Sequence, residues 1–192
     1  MKAPENVEWL DVVDEEGRPT GERVERGEAH RRGVRHATAH LWLVRGRGAD
    51  FEVLLQKRSA GKDSFPGCWD ISSAGHVPAG SAVAASAVRE LREELGVEAE
   101  EGELRLVGKR SFETRREFHG RPFWNKQISF VFYLRCDGAL DAFRLQEEEV
   151  SEVRWMKWTD CLRGVEEGAF PHCLSAEELR MVRAAAEAEG GR

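Results

Sequence analysis

Glu90, Glu93 and Glu94 stand at i, i+3 and i+4, a spacing that sets three carboxylates on one side of a helix. Like charges so close repel, so a cluster of this kind is either a solvated face screened by water or a set of ligands for a hard cation. Oxygen donors suit Mg²⁺ or Mn²⁺, ions that can neutralise a diphosphate and activate a water. Upstream, Gly75 and Gly80 bracket a short loop that leads from a strand into this helix, the kind of approach that lets backbone come near a bound phosphate. The residues therefore offer metal ligands and a phosphate approach together.

The elements that position these groups are readable in outline. Val83, Ala84, Ala87, Val88, Leu91 and Leu95 recur at helical spacing, which predicts a helix over Ala82 to Leu95 with Ser81 as N-cap and Gly96 as its stop. Ser175 with Glu178 predicts a capping box for a second helix running through Met181 toward Ala186. Leu10 to Val13 and Gly21 to Val24, joined by Asp14-Glu15-Glu16-Gly17, read as an N-terminal hairpin. Ala39 to Val44 and Phe51 to Leu55 read as two antiparallel strands, and Leu104 to Val107, Ile128 to Leu134 and Val153 to Trp158 as three more. Phe118 to Trp124 reads as a loop, while Phe130 and Phe132 alternate into a core. Strands mixed with two main helices predict an α/β fold with a mixed sheet between helices.

The whole chain sets bounds. Its 192 residues, 41% hydrophobic and 33% charged, fit one folded domain over 1–192. A net charge of −6 and a pI near 5.6 argue against a nucleic-acid polymer as partner. The stretch MKAPENVEWLDVVDEEG lacks the basic start and apolar run of a secretory signal, and no segment approaches the ~20 apolar residues of a membrane span. The expectation is a cytoplasmic protein without a membrane partner. Cys68, Cys136, Cys161 and Cys173 are widely spaced and read as reduced, mostly buried thiols. An edge strand or the hairpin could pair two copies, and nothing in the pattern demands a homodimer.

Gly75, Arg89-Glu90-Leu91, Glu93-Glu94 and Gly96-Val97 resemble the Nudix box, G-x5-E-x7-R-E-U-x-E-E-x-G-U with U a bulky aliphatic residue. The departure is Ser81, where the family usually has Glu, and it bears on metal number or affinity more than on reaction class. The resemblance implies an α/β/α sandwich and Mg²⁺- or Mn²⁺-dependent hydrolysis of a small-molecule diphosphate. It places Glu90, Glu93 and Glu94 as metal ligands and Arg89 as the residue that orients them. A later family glutamate, serving as ligand or base, falls on Glu149, with Glu148 beside it as the alternative.

Around the box the chain is similar to a narrower set, the isopentenyl diphosphate isomerases and the hydrolases most like them. The carriers are Leu54-Leu55-Gln56-Lys57-Arg58-Ser59, Lys62, Phe65-Pro66-Gly67-Cys68-Trp69-Asp70 and Gly75-His76, with His30 and His36 upstream. This likeness implies that His36 and His76, together with His30, bind a metal, and that Arg58 and Lys62 contact the diphosphate. The isomerases use a Cys and a Glu for proton transfer, and those positions hold Ala74 and Gln127 here. The isomerases also carry Arg where this chain has Glu90. The expectation is therefore hydrolysis by activated water, with Glu149 or Glu93 assisting deprotonation. The rivals are an isomerase that recruits other residues and a catalytically silent binding module.

Overall fold

The computed structural model describes residues 7–118 and 120–190. The elements run β1 (Trp9–Val13), β2 (Pro19–Glu25), α1 (Arg26–Arg32), β3 (His36–Arg45), β4 (Glu52–Arg58), β5 (Trp69–Asp70), β6 (Ser73–His76) and α2 (Val83–Leu95). They continue with β7 (Arg105–Phe118), β8 (Arg121–Arg135), β9 (Val150–Lys157), α3 (Trp158–Glu167) and α4 (Ala176–Gly190). Of the stretch read against a secretory signal, residues 1–6 lie outside the described residues. Among the described residues no helix is long and apolar enough to cross a membrane.

Strand β3 is the spine of a mixed sheet. It runs parallel to β8 from His36↔Gln127 to Val44↔Arg135 and antiparallel to β6 from Thr38↔His76 to Leu41↔Ser73. Beyond β6 it meets β4 at Val44↔Val53, and β4 in turn pairs antiparallel with β9 and β5. The period-2 alternation of strands sends neighbouring side chains of β3 to opposite faces. Leu41 and Leu43 join Ala87, Leu91 and Leu95 of α2 in one core. Trp42 and Val44 join Cys161 of α3 and Leu179, Val182 and Ala186 of α4 in the other. That division is the expected α/β/α sandwich, with α2 alone on one face. The N-terminal hairpin is also present, and its turn is local chemistry: Asp14 Oδ1 accepts from the backbone N–H of Glu16 and of Arg18, each at 2.9 Å.

Several expectations about the elements need correction. Helix α2 takes Ala82 as its N-cap, with no side-chain cap, because Ser81 is held one residue earlier in a turn closed by its N–H on Pro78 O at 2.9 Å. Ser175 Oγ does accept from Glu178 N at 3.4 Å, but the Glu178 carboxylate turns into the protein toward His40, Trp42 and Arg110, so the capping box is half formed. Gly75 lies inside β6, paired with Ala39, and is not the edge of a loop. The presumed loop at Phe118 to Trp124 is the far end of a β7–β8 ladder that pairs down to Phe118↔Arg121. Helices α1 and α3 fall where the sequence predicts no helix.

Leu91 is fully buried beneath α2, whereas Leu106 is 55% exposed. Leu91→Ala should lose about 3 kcal/mol in urea unfolding, and Leu106→Ala no more than about 0.5 kcal/mol. Equal losses would contradict this account of the core.

Candidate functional site

Glu90 and Glu94 sit in the C-terminal half of α2, on turns that also carry the buried Leu91 and Leu95. The helix begins at Val83, roughly 10 Å along the axis from Glu90 at 1.5 Å per residue, so its N-terminal partial charge does not act on the carboxylates. What brings Glu90 to the sheet is Gly75. A Cβ there would lie 2.4 Å from Glu90 Cδ and 2.6 Å from its Oε1, so a larger residue would push the Glu90 carboxylate out of this position. Arg89 Nη2 donates to Glu90 Oε1 at 2.6 Å, and its Nε lies 3.8 Å from Glu93 Oε2. One guanidinium thus spans two of the three carboxylates, while the Glu93 side chain stays half exposed.

Glu94 is the buried member, 5% exposed, and accepts from Gln56 Nε2 at 3.2 Å. Burial pushes its carboxyl up to about 7, with the Ser73 hydroxyl and Lys62 opposing and Glu90 and Asp70 reinforcing. Burial likewise raises Glu90, against the pull of Arg89. The Lys62 ammonium pairs with Glu149 Oε2. Burial and then the charge of Arg58 hold Lys62 below its ordinary range, while Glu94 and Glu90 pull the other way. The structure therefore gathers Glu90, Glu94, Lys62 and Glu149 into one neighbourhood.

The donor set fits a hard divalent ion. It consists of carboxylate oxygens on one surface, and next to Glu94 two buried oxygens, Gln56 Oε1 and Ser73 Oγ, have no hydrogen-bond partner. The Ser73 hydroxyl leans toward Glu94 without forming a hydrogen bond of ordinary geometry.

A second set lies on the opposite face of β6. His30, His36 and His76 bring one ring nitrogen each within 4.8 Å of the others. Burial above all keeps the three imidazoles neutral, with His30 lowered to about 3. His36 Nδ1 pairs with Val34 O at 2.9 Å, which leaves its buried Nε2 as a lone pair without a partner. Neutral nitrogens fixed through their other ring atom suit a metal ion. The ring of Phe123 stacks on His30 with centroids 4.5 Å apart.

The other anticipated residues divide. Arg58 donates to Ser64 O at 3.0 and 2.9 Å and to Asp70 Oδ2 at 3.2 Å, so it braces the loop that carries Lys62. Glu148 is exposed, and its backbone oxygen accepts from Ser59. Ala74 and Gln127 flank His40 on the imidazole face: Ala74 is its β6 partner, and Gln127 Nε2 lies 3.3 Å from His40 Nε2. Sequence reasoning missed the buried His40–Glu178 pair, which no spacing connects, and Gln56. The signal for Gln56 was available, since it follows Leu54 at a core-facing position of β4.

Residues 34–172 match the NUDIX domain family. An uncharacterised Nudix hydrolase of Clostridium acetobutylicum is 36% identical over 143 residues, 74% of this chain and 66% of that protein. Nudix hydrolase 3 of Arabidopsis thaliana is 38% identical over 161 residues, 80% of this chain but 20% of that longer protein. An isopentenyl-diphosphate Delta-isomerase of Cereibacter sphaeroides is 35% identical over 144 residues, covering 75% of this chain and 76% of the isomerase. A crystal structure from Deinococcus radiodurans superimposes with a TM-score of 0.65 at 23% identity, over 90% of this chain and 98% of that one, a likeness of fold.

Glu94 holds its proton to about pH 7 in the folded chain, against an ordinary 4.5. Its stabilising contribution is thus complete below about 4.5 and is lost as pH rises through about 7. In chelator, the advantage in melting temperature of wild type over Glu94→Gln should shrink between pH 5 and pH 8. Mg²⁺ should restore it at pH 8, where the carboxylate is free to bind. A difference that stays flat across this range would refute the assigned burial effect.

Proposed function

The chain belongs to the NUDIX family, and we propose that it hydrolyses the diphosphate linkage of a small organic diphosphate with Mg²⁺ or Mn²⁺ held by Glu90, Glu93 and Glu94. The observation that carries this reading is a buried Glu94 one helical turn from a partly buried Glu90, with burial raising both carboxyls. A packed core does not favour two neighbouring acids unless a cation joins them.

A divalent cation in that position supplies charge neutralisation for the diphosphate and lowers the pKa of a water. The protein's own groups divide the remaining work. Arg89 fixes Glu90 and Glu93 from one side. Lys62 meets the diphosphate as a point charge, and Arg58 shapes its loop and adds positive charge behind it. Gly75 keeps the strand backbone flush with Glu90 where the phosphates arrive. The proton of the attacking water passes to Glu93, which is half exposed, or to Glu149 beside Lys62. The water oxygen bonds to phosphorus, the bridging P–O bond breaks, and the leaving phosphate departs with its electron pair. His36 and His76, joined by His30, would hold a second cation on the other face of the sheet. We further assign the chain as one domain over 1–192 acting in the cytoplasm, without a nucleic-acid polymer or membrane partner.

Relatives named as isopentenyl-diphosphate isomerases give a second reading a specific basis. Against it, Ala74 and Gln127 carry no acid or base where proton transfer would occur.

Phosphate and monophosphate release across prenyl diphosphates, nucleoside diphosphates and triphosphates and nucleotide sugars, with Mg²⁺, Mn²⁺ or chelator, decides between them. Metal-dependent release is expected, and Glu94→Gln should lower turnover about 100-fold or more while remaining folded. Conversion of isopentenyl diphosphate to its isomer without phosphate release would favour the isomerase. Wild-type turnover by Glu94→Gln at saturating Mg²⁺ would remove the metal assignment.

A further inference from the structure

Strand β4 turns Leu54 and Gln56 toward α2, and at the first of these positions the side chain is core. At the second an amide is 2% exposed, with its Nε2 on Glu94 Oε2 at 3.2 Å and its Oε1 without a partner. Ser73 of β6, 1% exposed, brings a hydroxyl to the same carboxyl, and its Oγ is also without a partner. A buried acceptor left unpaired costs free energy that an apolar side chain of similar size would avoid. Two side chains that reach the same carboxyl and each keep an acceptor oxygen unpaired are poorly explained by packing.

We propose that Gln56 is a positioning residue for Glu94. Its Nε2–H occupies Glu94 Oε2 and so turns the other carboxylate oxygen toward the cation. Gln56 Oε1 and Ser73 Oγ are acceptors for the hydrogens of a hydrated divalent ion. Mg²⁺-type ions keep several waters when bound by few carboxylates, and those waters need fixed acceptors around them. The register supports the arrangement: Gln56 is paired on both sides, with Asp70 of β5 and Val153 of β9, so its backbone cannot follow the side chain away from Glu94. The inference rests on the metal reading above, and it concerns how tightly the ion is held, not which bond is cleaved.

The test is the affinity of the full chain for Mn²⁺, read from free Mn²⁺ by electron paramagnetic resonance at pH 8, beside melting temperatures in chelator. Gln56→Leu should weaken Mn²⁺ binding by about 10-fold to 100-fold. Its melting temperature in chelator should stay close to that of wild type, because the substitution removes the unpaired oxygen together with the donor to Glu94. Should Gln56→Leu fail to fold, Gln56→Met, which keeps the length of the side chain, carries the same comparison. Turnover in the variant should recover at high Mn²⁺, separating ion affinity from chemistry. Mn²⁺ affinity within twofold of wild type would overturn the proposal, and so would a loss of affinity matched by a lower melting temperature in chelator. A wild-type chain that binds no Mn²⁺ would remove the metal reading itself, an outcome distinct from the failure of Gln56 alone.

Discussion

Helix α2 buries Leu91 and Leu95 against the sheet and carries Glu90 and Glu94, each one residue before, along the border of that stripe. Residues one apart on a helix differ by about 100° and those four apart share a face, so the two glutamates flank one side of the stripe while Arg92, on the other side, is exposed. The buried stripe of the helix therefore has an acidic border, and the structure around it is organised to accommodate that. Gly75 leaves room for the Glu90 side chain on β6, Arg89 grips Glu90 from the solvent side, and Gln56 reaches Glu94 from β4. The Lys62 loop supplies the nearby ammonium and is itself held by Arg58.

These devices differ in what they can compensate. Arg89 is a fixed charge at hydrogen-bond distance, so Glu90 is countered directly. Glu94 is met by neutral groups, the Gln56 amide and the Ser73 hydroxyl, and neutral groups do not repay the desolvation of a carboxylate. The consequence is the carboxyl raised to about 7, a group that prefers either a proton or a cation. A site that resists ionisation without its ion links binding to pH.

Much of this was legible in the residues, for identifiable reasons. The carboxylate set followed from i, i+3, i+4 spacing, and the stop at Gly96 from its positive φ of 67°, with its N–H on Arg92 O at 3.0 Å. The hairpin followed from Asp14 and its turn. Other elements gave no comparable signal. Helix α1 has seven residues, buries only Ala29 and His30, and is capped by Glu25, so neither periodicity nor a usual cap marks it. Strand β6 is Ser-Ala-Gly-His, poor in β-formers, and it exists because β3 offers it a partner edge. Helix α3 begins at Trp158, a residue that β-propensity assigns to the strand before it. Gln56 and the His40–Glu178 pair depend on contacts far apart in sequence, which a single chain does not display.

The short strand β6 then has an importance out of proportion to its four residues. Its pleat presents Ser73 and Gly75 to α2, and Ala74 and His76 to the opposite face. On the first face the available atoms are carboxylate, amide and hydroxyl oxygens; on the second they are neutral imidazole nitrogens held within 4.8 Å. Hard and borderline donors are thus separated by the thickness of one strand, and a one-residue slip of β6 against β3 would exchange them. The register Ala39↔Gly75, flanked by Thr38↔His76, prevents that slip. A larger residue at this position would displace the Glu90 carboxylate, so the register of β6 bears directly on the acidic site.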